Sequence, residues 1–133
     1  MEFYRYAVLC RENLRIINSL TGCLNIKQGV GFMNIEQAID IIYSGLVSEN
    51  SVPVQLAAYR ILDLEMLNQV REALDFAIEY YRGKTLIPKK IAIALVDIQG
   101  AFFFKSGFDE EMLVELEDIG IELQEKALEL FSE

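Results

Sequence analysis

Apolar residues recur at alternating steps of four and three along most of this chain, which is the spacing that places them on one face of an α-helix. The first such face consists of Phe3, Ala7, Cys10, Leu14 and Ile17. It predicts a helix over residues 2–20, with Gly22 placed to end it. The stretch from 21 to 33 is rich in glycine and predicts a loop.

A second helix is predicted to begin at Asn34, because Asn is a favoured N-cap and Gln37 stands three residues later in the capping-box position. This helix is expected to end near Ser48. Its apolar face consists of Ile35, Ala38, Ile39, Ile42 and Leu46.

Residues 53–82 continue the helical spacing after Pro53, which suits a first helical turn. The pattern fits one long helix or two abutting helices with a bend or break near Asp63, and both alternatives stay open. The apolar positions are Ala57, Ile61, Leu64, Leu67, Val70, Leu74, Ala77 and Tyr81.

The last two predicted helices differ sharply in character. Residues 88–105 are almost continuously apolar and predict a central helix, whereas a final helix begins at the N-cap Asp109. The predicted buried face of the final helix is Leu113, Leu116, Gly120, Leu123, Ala127 and Leu130. With no alternation of period two, the chain predicts an all-α, single-domain bundle of about five helices over residues 1–133.

Asp97 stands near the middle of the apolar stretch, where an unpaired buried carboxylate would be costly. It can pair with a neighbouring helix, lie on a solvent-facing strip or serve as a functional carboxylate. We predict the paired state, so that Asp97→Ala costs about 3–5 kcal/mol. The candidate partners are Arg11, Arg15, Tyr59, Arg60 and Arg71.

The composition leads us to expect a cytoplasmic protein that has more apolar residues than its own core requires. Hydrophobic residues make up 53% of the 133 positions, and the mean hydropathy is +0.24. The amino terminus lacks the apolar core of an export signal, and charged residues interrupt the longest apolar run, so we expect neither secretion nor membrane insertion. Cys10 and Cys23 have no CxxC spacing and are expected to be reduced thiols.

The chain offers little for catalysis. It has no histidine, which removes the commonest general base and a common metal ligand. The glycines near residue 30 lack the Lys-Ser/Thr pair of a phosphate loop, and no calcium-loop spacing occurs. We therefore predict a protein that is not an enzyme and uses no cofactor or metal. Its net charge of −9 also argues against nucleic acid as a partner.

The net charge comes from the end of the chain. Residues 1–108 contain eleven acids and eleven bases, whereas residues 109–133 contain ten acids and one base, Lys126. Six of these acids are spaced 4, 3, 4, 3 and 4 residues apart and form a line along the last helix, which we call the acidic ridge: Glu111, Glu115, Asp118, Glu122, Glu125 and Glu129.

The acidic ridge has two interpretations. It can be a solvated face that keeps an apolar protein in solution, in which case replacing three of its acids with Gln leaves stability unchanged or slightly improved. It can also be a landing surface for a basic partner. The second interpretation predicts a small inhibitor of the immunity type, which neutralises a basic protein such as a nuclease toxin. A self-associating helical adaptor with an interface at Phe102–Phe104 is the alternative.

Overall fold

The structure, a computed structural model, describes residues 33–132. The helix predicted over residues 2–20, most of the loop predicted after it and both cysteines lie outside the described residues. Within the described part, six helices and no strand are present, so the predicted all-α bundle is confirmed there. The helices are α1 (Ile35–Leu46), α2 (Val52–Tyr59), α3 (Leu64–Tyr81), α4 (Lys89–Leu95), α5 (Ile98–Ala101) and α6 (Glu110–Phe131).

Side-chain caps begin three of these helices where the sequence places them. Asn34 and Gln37 form the predicted capping box on α1, with distances of 2.8 Å and 3.1 Å. Asp63 and Asp109 accept the backbone N–H of the third residue of α3 and α6. The bond donated by the Met112 backbone N–H lowers the pKa of Asp109, because it favours the ionised carboxylate.

Residues 53–82 form two helices rather than one. Arg60 adopts the left-handed conformation, with φ of 57°, at the end of α2, and its N–H donates to the Leu56 carbonyl. The chain resumes its helical course after Asp63, which is where the sequence indicates a break. Of the apolar positions that continue the helical spacing, Ala57 and Ile61, which precede the break, are exposed.

Helix α3 occupies the middle of the described bundle, packing against α1 on one side and α6 on another. Helix α4 packs on α1, and α5 packs on α6. A Cβ on Gly45 would collide with Val70, so glycine permits the close contact between α1 and α3. On α6, a Cβ on Gly120 would lie 3.0 Å from the Gln99 carbonyl oxygen, which shows how closely α5 approaches.

The prediction of a single central helix over residues 88–105 was wrong. The helix is interrupted at Val96 and Asp97, which separate α4 from α5, and the chain leaves helical geometry again after Ala101. One side of the segment faces solvent, since Ile93 is 60% exposed and Val96 is 80% exposed. Apolar content alone does not distinguish a buried helix from two short helices with an uncovered side.

Asp97 is exposed, so the prediction that it is paired inside the bundle was also wrong. Its backbone, with φ of −132° and ψ of 42°, marks the start of α5, but its side chain makes no capping hydrogen bond. Two of the predicted partners have other contacts: Arg71 pairs with Glu122, and Arg60 lies 5.3 Å from the centre of the Phe108 ring. Arg11 and Arg15 lie outside the described residues.

Candidate binding surface on the last helix

Helix α6 buries one face against α3 and α5. Its buried residues are Met112, Leu116, Ile119, Gly120, Leu123, Ala127 and Leu130. Met112 and Ile119, which are absent from the predicted face, rotate the buried side toward the acidic ridge. The ridge therefore has one edge close to the buried face, and its six carboxylates have different surroundings.

The acidic ridge divides into two columns with a spacing of seven residues, which is close to two helical turns. The inner column, nearer to α3, consists of Glu115, Glu122 and Glu129. The outer column, on the solvent side, consists of Glu111, Asp118 and Glu125. All three members of the outer column are exposed, whereas Glu115 and Glu122 are only partly exposed.

Two members of the inner column contact cations of α3 and its end. The Arg71 guanidinium donates two hydrogen bonds to the Glu122 carboxylate, at 2.7 Å and 2.8 Å, and its third bond goes to Asn68. Arg82 lies 3.8 Å from Glu129 but is bonded to Glu79 at 2.7 Å. The Arg82 hydrogen bond and charge lower the pKa of Glu79. Part of the acidic ridge thus fastens α6 to α3.

Lys126, the one base of α6, also turns toward α3, where its ammonium group bonds to Asp75. Asp75 follows Arg71 by four residues on α3, and its partner Lys126 follows Glu122 by four residues on α6. The two helices therefore run in the same direction. This pairing takes Lys126 away from the outer column. Within residues 33–132, no cation lies within ion-pair distance of Glu111, Asp118 or Glu125.

Beside the outer column runs a line of exposed apolar residues, which we call the apolar column: Val114, Ile121 and Leu128. Their exposed fractions are 56%, 38% and 61%. The spacing of seven residues matches that of the outer column. Val114 and Ile121 therefore each have an outer-column carboxylate three residues before them and another four residues after them. Leu128 has only the one before it, Glu125. Paired columns of this kind are typical of a helix that receives another amphipathic helix.

Other surfaces of the described part give weaker signals. A shallow groove of about 190 Å³ between α1 and α3 has Asp40 as its one charged lining residue, and that carboxylate is bonded to Lys90 at 3.0 Å. Lys84 lies over the Tyr80 ring, 3.6 Å from its centre. These contacts occupy two of the basic residues, and the polar residues that line the groove are Asp40, Ser44 and Gln69.

Metal-ligand geometry is absent from the described residues, since no three His, Cys, Asp or Glu side chains among them are grouped closely enough to hold an ion. The predicted absence of a metal or cofactor stays a prediction. None of the helices in residues 33–132 is both long and apolar enough to cross a membrane.

Comparison of the chain with protein-family models, with curated proteins and with solved structures finds no match. Function must therefore be argued from the surface of α6. Sequence reasoning located the acidic ridge correctly on one helix but missed the apolar column, although the spacing of Val114, Ile121 and Leu128 is visible in the sequence. These three residues lie between acids on a helix that already has one apolar face, and that face accounts for most of its apolar positions.

Proposed function

We propose that this protein is a non-catalytic binding protein that receives a basic partner on the solvent side of α6. The observation that carries the proposal is the outer column, in which three exposed carboxylates lack a cation in the described structure and border the apolar column. Each outer-column acid lies three or four residues from an acid of the inner column, and like charges at that spacing cost a helix a few tenths of a kcal/mol each. The positive charge of a basic partner would offset this repulsion, and the field of the carboxylates would steer the approach of the partner.

Within this class we propose an inhibitor of the immunity type, acting in the cytoplasm. A nuclease toxin needs a basic surface to hold phosphates. Carboxylates in a line can cover such a surface, while the apolar column supplies the water-excluding contact that charges alone do not provide. The inhibitor needs no catalytic group, which agrees with the lack of histidine in the chain.

The test compares two triple variants of equal charge. The outer-column variant is Glu111→Gln, Asp118→Asn and Glu125→Gln, and the control is Glu36→Gln, Glu65→Gln and Glu72→Gln, which changes three exposed acids on α1 and α3. Wild-type protein is used to capture partners from host extract at low salt, and association kinetics of the identified partner are measured over a salt series.

We expect the outer-column variant to associate more slowly and with a flatter salt dependence, while the control behaves as wild type. A captured nuclease should lose activity as wild-type protein is added in equimolar amount. Capture of the same partner with unchanged kinetics by the outer-column variant would contradict the proposal and leave the outer column as a solubility device.

Self-association is a second candidate, favoured by apolar side chains on and beside α4 and α5. Phe102 is fully buried and Phe104 packs on Phe108 at 5.3 Å, so Phe103, at 57% exposure, is the one member of the predicted Phe102–Phe104 interface left largely free. Together with Ile93 and Val96 it offers apolar area to a second copy. Sedimentation velocity separates the candidates, because self-association gives more than the monomer mass of 15.2 kDa.

A further inference from the structure

We propose that the outer column and apolar column of α6 dock on the exposed side of α4 and α5 in a second copy of this chain, so that copies associate head to tail. The inference rests on the self-association candidate of the proposed function and specifies its contact, and it needs no foreign partner. It follows from two exposed surfaces of one molecule that both carry apolar side chains and have charges of opposite sign.

The exposed side of α4 combines basic and apolar residues. Lys89, Ile93 and Val96 are spaced four and three residues apart, so they lie on one side of this helix. All three are exposed, whereas Ile91 and Leu95 are buried on the opposite side. The side of α4 that faces away from the bundle is therefore an apolar strip that begins with a lysine.

This surface continues past α5. The Asp97 and Gly100 carbonyls accept hydrogen bonds from backbone N–H groups four and three residues later, which keeps the segment in helical turns. Val96 and Phe103 are therefore separated by about 10 Å, instead of the roughly 25 Å of an extended segment. Lys105, two residues after Phe103, is also exposed. We call the combined surface the lysine face: Lys89, Ile93, Val96, Phe103 and Lys105.

The lysine face is a positive region of a negative protein. Residues 84–105 contain four lysines and one acid, Asp97, whereas residues 33–132 contain eight bases and eighteen acids. The Asp97 carboxylate lies over Gly100, where it would collide with an added Cβ. Among residues 33–132, no carboxylate lies within ion-pair distance of Lys89 or Lys105. The lysine face thus has cations without a carboxylate, and the outer column has carboxylates without a cation.

The two surfaces cannot satisfy each other within one chain. Helix α4 packs on α1, and α6 packs on α3 and α5, so the apolar side chains of both surfaces stay exposed in a single copy. A second copy brings Val114, Ile121 and Leu128 onto the apolar residues of the lysine face, while the outer column meets the lysines. A contact between two different surfaces of the same chain is heterologous, and each copy keeps one surface of each kind for a further contact.

Other occupants of these surfaces fit less well. Two copies of α6 that met face to face would bring two outer columns of like charge together, and two lysine faces would repel each other in the same way. An anionic lipid surface would attract the lysines, but the net charge of −9 on the whole chain opposes its approach. The second copy is therefore favoured by charge as well as by apolar area.

The contact is small, because one side of α6 meets a helix of seven residues and the turns after it. Interfaces that bury less than about 1,200 Å² are typical of weak and transient complexes. We therefore expect association at micromolar to millimolar protein concentration, and the same α6 surface stays available to a partner that binds more strongly.

Charge reversal on each surface of the full-length protein tests the inference. The α6 variant is Asp118→Lys with Glu125→Lys, and the lysine-face variant is Lys89→Glu with Lys105→Glu. The quadruple variant combines all four changes in one chain. Sedimentation equilibrium over protein concentrations from micromolar to millimolar measures association at low and high salt. Far-UV circular dichroism establishes that each variant is folded.

The matched control is Glu49→Lys with Glu72→Lys, which reverses two exposed acids outside both surfaces. It changes the net charge by the same amount as the α6 variant. Both reduce the negative charge of the chain by four, so general repulsion between copies decreases equally in the two proteins. A loss of association in the α6 variant alone is therefore specific to the outer column.

We expect the average mass of the wild-type protein to rise above 15.2 kDa with concentration at low salt, and less so at high salt. Each double variant on the two surfaces should lower the association constant about tenfold, because two attractive charge pairs become repulsive. The control should associate at least as well as wild type. The quadruple variant, in which both surfaces have exchanged signs, should recover to within about threefold of wild type.

The inference is overturned by a wild-type protein that stays monomeric throughout, by association that either double variant leaves unchanged, or by a quadruple variant as weak as the α6 variant. Binding of wild type, but not of the lysine-face variant, to phosphatidylserine vesicles would assign the lysine face to a lipid surface instead.

These outcomes separate the inference from the proposed function. A monomeric wild type removes the self-association candidate as well. An oligomer that tolerates the α6 variant keeps that candidate and removes only the head-to-tail contact. The assay contains no foreign partner, so none of its results changes the outcome of the partner-capture experiment.

Discussion

Glu122→Gln and Glu125→Gln make the same chemical change at two positions of the acidic ridge, and the structure predicts opposite consequences for stability. Glu122 belongs to the inner column and accepts two hydrogen bonds from Arg71. Glu125 belongs to the outer column and is exposed. The sequence pattern gives no reason to distinguish Glu122 from Glu125. Comparing the two variants therefore tests directly whether the acidic ridge divides into an inner and an outer column.

The size of the Glu122 effect follows from the burial of its partner. The Arg71 side chain is only 18% exposed, so Glu122→Gln removes the charge and one of two acceptors from a guanidinium with limited access to water. Hydrogen bonds to charged groups contribute about 1.5–3 kcal/mol. Because the Glu122 side chain is 38% exposed, solvent screening reduces the expected loss to about 1–2 kcal/mol.

Glu125→Gln should change the free energy of unfolding by less than about 0.5 kcal/mol, with a slight gain in stability from relief of repulsion by Glu122 and Glu129. Urea denaturation followed by far-UV circular dichroism measures both variants. In thermal unfolding the Glu122→Gln variant should melt lower by about 3–5 °C per kcal/mol lost. Arg71→Met completes a double-mutant cycle, whose coupling energy with Glu122→Gln isolates the pair.

Equal losses for both Gln variants, or a coupling energy indistinguishable from zero, would refute the division into inner and outer columns. If neither variant loses stability, the expectation of the solvated-face interpretation holds, namely that three acids of the ridge can be replaced with Gln without loss. The structure limits that expectation to the outer column.

Three further predictions concern packing and helix ends. Asp97→Ala should change the free energy of unfolding by less than about 0.5 kcal/mol, because the carboxylate is exposed. A loss near 3 kcal/mol in urea denaturation would indicate that Asp97 is buried and paired instead. Gly45→Ala should cost about 1–2 kcal/mol, since the collision with Val70 outweighs the better helix propensity of alanine, and a gain in stability would show that α1 can shift. Asp63→Ala should cost about 1 kcal/mol, because Asp63 caps the start of α3. Ser51→Ala should be neutral or stabilising, because the buried Ser51 hydroxyl has no hydrogen-bond partner in the described structure. Equal losses of stability for the two variants in thermal unfolding would contradict this contrast.

Helix starts were predictable because capping is local. Asn34 and Asp109 cap helices through backbone N–H groups three residues away, and the break near Asp63 also coincides with a capping side chain. The interruption at Asp97 was not predictable in the same way. Its neighbours are apolar whether α4 and α5 form one helix or two, and only the packing of α4 on α1 and of α5 on α6 separates them.

The acidic ridge could be located from spacing alone, but the rotation of α6 about its axis could not. Two buried residues, Met112 and Ile119, determine that rotation, and they bring Glu122 within reach of Arg71. The separation into structural and unpaired carboxylates depends on this contact between residues 51 positions apart. The apolar pattern of one helix indicates its buried side, but it does not indicate which charged residues a neighbouring helix places beside that side.

The energetics of the apolar column bear on what can occupy it. Val114, Ile121 and Leu128 are already about half buried, so covering the rest stabilises a complex by about 1 kcal/mol each. A free partner must offset an association cost of at least about 4 kcal/mol, so these three residues cannot hold it alone and it must also contact the outer column and surfaces beyond α6.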